Sequence, residues 1–164
     1  MSSQDILQTA FVAFALVIQI MLVASFAARN WKPSIEEKWG WLVYGLGLPA
    51  SILGVLFLLN DQPWYYWTAT LLFTIWAAFG YVVDIVLRVK WRNPAKRSIF
   101  IPYVVLFVSS LLAFWVPLWF IWPVLWIVYA LLYATHTTLN MYSHFQQRER
   151  PGSGATSPIS LEAS

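Results

Sequence analysis

From Ile99 to Ser143 the chain runs 45 residues without one Lys, Arg, Asp or Glu. As one helix that stretch would extend roughly 67 Å at 1.5 Å per residue, about twice the ~30 Å hydrocarbon core of a bilayer. No water-facing surface can be built from it, and no single span can use it up, so it must fold back. "WVPLWFIWP" at 115–123 is the predicted turn: prolines at 117 and 123 interrupt the helix, and three tryptophans suit the membrane interface.

The rest of the chain fits the same solvent. Of 164 residues 60% are hydrophobic and 10% charged, against about 25% charged in a soluble domain. The apolar runs are continuous rather than alternating, which selects helices over a barrel. The reading is an all-α integral membrane protein, a five-transmembrane-helix bundle with spans at 6–28, 39–59, 65–87, 99–116 and 121–143. Residues 1–147 form one domain. "RERPGSGATSPISLEAS" at 148–164, rich in Gly, Ser and Pro, reads as a disordered tail.

The start, "MSSQDILQTA", has no Lys or Arg, so the first apolar run reads as a retained span rather than a cleaved signal. Arg29, Lys32 and Lys38 fall in one loop, Arg88, Lys90, Arg92, Lys96 and Arg97 in another, and Arg148 and Arg150 in the tail. With five spans these segments share one side of the membrane, which places the N-terminus outside and the C-terminus in the cytoplasm. A bacterial cell membrane is the expected location. The net charge of +3 is thereby spent on topology and gives no reason to expect nucleic acid.

Several chemistries find no residues to carry them. There are no cysteines, hence no disulfide, thiolate nucleophile or iron–sulfur cluster. His136 and His144 share one helix about 12 Å apart, too far to hold one metal or to grip one haem from both sides. No serine-hydrolase, zincin or phosphate-loop motif occurs. A lipid-modifying enzyme would need Asp84 and His136 to meet within hydrogen-bond reach. The chain reads as non-catalytic, with no cofactor indicated.

Local patterns point to candidate sites. "PSIEEK" at 33–38 matches a capping box, with Ser34 as N-cap and Glu37 reaching back. Gly40, Tyr44, Gly47, Ser51 and Gly54 predict a face for close helix approach, and Pro49 a kink in the same span. Thr70, Thr74, Ala77, Tyr81, Asp84 and Arg88 form a polar stripe, with Asp84 near the inner edge of the hydrocarbon and Arg88 four residues on, placed to pair with it. Trp122, Trp126, Tyr129, Tyr133, His136, Asn140 and His144 form a second stripe, aromatic in one half and polar in the other. Gln8 and Gln19 share a face of the first span.

The outline resembles a known family. A short, five-span, tryptophan-rich chain with "NWKPS" at 30–34 is similar to the TspO family of tryptophan-rich sensory and translocator proteins, which the resemblance would make a binder of porphyrins and sterol-like ligands. The likeness covers the outline and those five residues. "IEEKWGW" stands where that family has a proline pair, and no binding residue carries over.

Two readings follow. In the first, the protein holds a hydrophobic or amphiphilic small molecule or a lipid between spans 3 and 5, with Tyr81, Asp84, Trp126, Tyr129, Tyr133, His136 and Asn140 as ligand-binding residues. In the second it is an accessory or assembly subunit of a larger membrane complex, or a homodimer, and the stripes pack against a partner. In both, Arg88, Lys90, Arg92, Lys96 and Arg97 contact anionic membrane lipids.

Overall fold

The computed structural model describes residues 3–89 and 96–149, and among these every regular element is a helix. In chain order they are α1 (Ser3–Trp31), α2 (Pro33–Trp39), α3 (Leu42–Gly45), α4 (Gly47–Leu59), α5 (Trp64–Tyr81), α6 (Arg97–Ile121) and α7 (Pro123–Glu149). One π-turn, Val82–Val86, prolongs α5. Lys90, Arg92 and the tail beyond 149 lie outside the described residues, as does the side chain of His144.

Four stretches are long and apolar enough to cross a membrane: Gln4–Trp31, Pro33–Leu59, Trp64–Val86 and Arg97–Ile121. Helix α7, of 27 residues, is within their range of lengths, but Thr135, His136, Thr137, Thr138 and Asn140 lower the hydropathy of its second half. The rods alternate in direction. Gly54 meets Thr70 while Gly47 meets Ala77, so α4 and α5 run antiparallel. Tyr65 stacks on Phe120 and Trp76 tilts against Tyr103, which sets α6 antiparallel to α5. Trp115 stacks on Trp126 while Tyr129 bonds to the Leu111 carbonyl, which turns α7 back along α6.

Prolines set the breaks, at places shifted from the sequence expectation. Pro33 takes the first turn of α2 behind an N-cap at Lys32 that makes no side-chain bond, so the capping box at Ser34 does not form. Proline already suits that position, where an N–H has no partner to lose. The ring of Pro49 conflicts with the carbonyl four residues back, at Gly45. Helix α3 ends at Gly45, and α4 restarts at Gly47. The predicted turn at 115–123 contracts to one residue: α6 runs through Pro117 to Ile121, and Trp122, at φ −164 and ψ 117, reverses the chain. Pro117 forfeits only one ladder bond, whereas Pro123 pushes Trp122 into the extended region.

Small residues let α4 and α5 touch, as their spacing predicts. A Cβ added at Gly47 would lie 2.8 Å from the Ala77 Cβ, and one at Gly54 2.8 Å from Thr70 Oγ1. At Gly80 an added Cβ would run into the Tyr44 ring. Away from the basic loops the bundle is filled by aromatic rings: Phe11, fully buried, contacts Tyr66 at 4.9 Å, Phe114 at 5.3 Å and Phe57 at 5.8 Å. In lipid such packing, rather than expulsion of water, holds helices together. The basic end is not filled.

A candidate ligand cavity at the basic end

The unfilled end holds a cavity of about 740 Å³, within the range of small-molecule sites. Helix α1 supplies Leu22, Ser25, Phe26 and Arg29; the α2–α3 segment supplies Glu36, Glu37, Gly40, Val43 and Tyr44. Trp76, Asp84 and Arg88 come from α5 and its extension, Tyr103 and Phe107 from α6, and Tyr133, His136, Thr137 and Asn140 from α7. Aromatic walls with a few convergent polar groups are the composition expected of a site for an amphiphile.

The first polar group is built by the π-turn. Tyr44 Oη donates to Asp84 Oδ2 at 2.5 Å, and Tyr103 Oη lies 3.1 Å from Tyr44 Oη. A phenol has one proton, and Tyr44 gives its own to the carboxylate, so Tyr103 donates to Tyr44. Gly80 makes room for the Tyr44 ring, one turn before Asp84. Arg88 takes φ 49, the left-handed region, after a turn wound i to i+5 rather than i to i+4. The predicted helical face shared by Asp84 and Arg88 is therefore not formed. Both still line the cavity.

The second group joins α1 to α7. His136, 1% exposed, donates from Nδ1 to Gln19 Oε1, itself fully buried, at 2.8 Å. An amide oxygen only accepts, so the proton of that bond is on Nδ1. Phe26 stacks on His136 at 5.9 Å and Tyr133 meets it edge-on at 5.0 Å. Further along, Asn30 Nδ2 donates to the Leu139 carbonyl at 2.9 Å. The third group is the Arg29–Glu36 ion pair, 2.7 Å, with the Arg29 guanidinium 5.1 Å over the Phe26 ring.

Of the residues proposed from sequence, Asp84, Tyr133, His136 and Asn140 line this cavity. Tyr81 points outward at 46% exposure. Trp126 packs on Trp115 at 4.7 Å, and Tyr129 is buried with its hydroxyl on the Leu111 carbonyl at 2.9 Å; these two belong to the α6–α7 hairpin. Thr70 and Thr74 face α4 instead. Sequence reasoning passed over Tyr44, Tyr103, Arg29 and Glu36. Tyr44 did carry a signal: it is the one bulky polar residue in a stripe of small ones.

Lys96 and Arg97 are exposed at the start of α6, beside the cavity end of the bundle. Among the described residues no group of three His, Asp or Glu is placed to hold a metal ion. Comparison with known protein families, with curated proteins and with solved structures finds no match to this chain.

Proposed function

We propose that this is a five-span membrane protein, N-terminus outside and C-terminus in the cytoplasm, that binds a compact hydrophobic or amphiphilic small molecule without transforming it. The observation that carries the reading is the cavity itself: the bundle is packed solid with rings at one end and holds about 740 Å³ of aromatic-walled space at the other. Orientation is supported by Arg29, Lys32, Lys38, Arg88, Lys96 and Arg97, which all lie at the cavity end. The fifth span is α7, whose polar residues face α1 and the cavity.

Size and polarity narrow the ligand. Along α6 the lining runs from Phe100 to Val108, about 12 Å at 1.5 Å per residue. That is shorter than one leaflet, half of a ~30 Å core, so a compact body fits better than an extended acyl chain. Its apolar part would lie against Trp76, Phe107 and Phe26. Its polar part would face the Tyr103–Tyr44–Asp84 relay or His136 and Asn140.

Native mass spectrometry of the protein, extracted gently from its own membrane, tests this. A small-molecule mass that disappears in His136→Ala while the fold persists is the expected result. A stoichiometric second polypeptide with no small molecule would instead favour the subunit reading.

A further inference from the structure

Helix α2 is seven residues long and buries none of them. It is set off from α1 by Lys32, at φ −142 and ψ 69, and from α3 by Gly40 and Trp41. Yet Glu36, Glu37 and Gly40 line the cavity, so this short piece covers part of the mouth. The Arg29–Glu36 ion pair joins α1 to α2, with each side chain about a quarter exposed. Its two ends are anchored unequally. Arg29 rests on Phe26, and Phe26 stacks on His136 in the cavity wall, whereas Glu36 sits on a helix with nothing buried.

We infer that α2 is a lid over the basic end of the cavity and that the Arg29–Glu36 pair is its latch, whose opening lets the amphiphile in and out. The ligand's passage rests on the binding function proposed above; the lid's movement can be measured without any ligand. Helix α2 buries no residue of its own, and the pair is a side-chain tie that biases it toward α1. A single partly exposed pair shifts such an equilibrium only modestly, about two- to fivefold, which suits a lid that must open repeatedly.

The chain has no cysteine, so one introduced thiol reports cleanly. Thr137→Cys places it on the cavity wall, and Ser98→Cys on the exposed first turn of α6, off the cavity and beside Lys96 and Arg97. With the full chain in lipid nanodiscs, the rate of modification by a water-soluble methanethiosulfonate is compared. Glu36→Gln and Arg29→Gln are expected to speed modification at 137 by about two- to fivefold and leave 98 unchanged. The charge-swapped pair, Arg29→Glu with Glu36→Arg, should return the rate toward that of the unmodified pair. Unchanged rates at 137 in both single variants, an equal rise at 98, or no recovery in the swap would each overturn the latch. Faster labelling at 137 with no co-purified molecule would leave the lid standing and count against the binding function alone.

Discussion

Tyr44 gives its hydroxyl proton to Asp84 at 2.5 Å, joining the second rod of the bundle to the π-turn that ends the third. A phenol–carboxylate bond in a partly buried setting is charge-assisted and short. It ties down the one place where α5 abandons α-helical winding.

Removing that proton should be felt by the fold. Tyr44→Phe is expected to cost about 1.5–3 kcal/mol, the usual contribution of a hydrogen bond to a charged group. Thermal unfolding in detergent, followed by intrinsic tryptophan fluorescence, measures it. An unfolding midpoint equal to that of the unmodified protein would show that the bond does not hold the π-turn.

Two glycines should behave oppositely. Gly80→Ala drives a methyl into the Tyr44 ring and should destabilise by about 1–3 kcal/mol, as overpacking does. Gly45→Ala meets nothing within 4 Å and should be neutral or stabilise by up to about 1 kcal/mol. The same melting experiment reads both, and a lower midpoint for Gly45→Ala than for Gly80→Ala would contradict the packing described.

Gln19 and His136 allow stability to be separated from binding. Gln19→Ala removes a buried acceptor from the imidazole N–H and should cost about 0.5–1.5 kcal/mol. Changing both, Gln19→Leu with His136→Phe, removes donor and acceptor together and should recover most of that loss. Ligand occupancy, read by native mass spectrometry, should stay low in the double variant. Full occupancy there would remove His136 from the site.

Tyr129 supplies the converse control. Tyr129→Phe loses one bond to the Leu111 carbonyl and should cost about 0.5–1.5 kcal/mol, with ligand occupancy intact because the residue lies off the cavity. Loss of ligand at unchanged stability would extend the site into the α6–α7 hairpin.

The four stretches long and apolar enough to cross a membrane were legible because a lipid solvent demands long apolar runs, and those runs are visible by eye. Local termini were less so. Ser34 sits in a good capping-box sequence, but Pro33 ahead of it already starts the helix. Pro117 looks like the edge of a turn, yet a helix tolerates it where Trp122 and Pro123 can make the reversal. The Asp84–Arg88 spacing assumed α-helical winding, and a single π-turn defeats that arithmetic. The largest gap was Tyr44: its partner stands forty residues away, and only the meeting of α3 with the end of α5 brings them together.

The cavity wall is closed where α1 meets α7, at Gln19 and His136, at Phe26 and His136, and at Asn30 and Leu139. These are the first and last helices of the described chain. During synthesis the earlier rods can pair as they emerge, but this seam has to wait for the final one. The cavity is thus the last part of the molecule to exist, and a chain truncated within α7 would keep the four stretches long and apolar enough to cross a membrane while lacking one wall of the site.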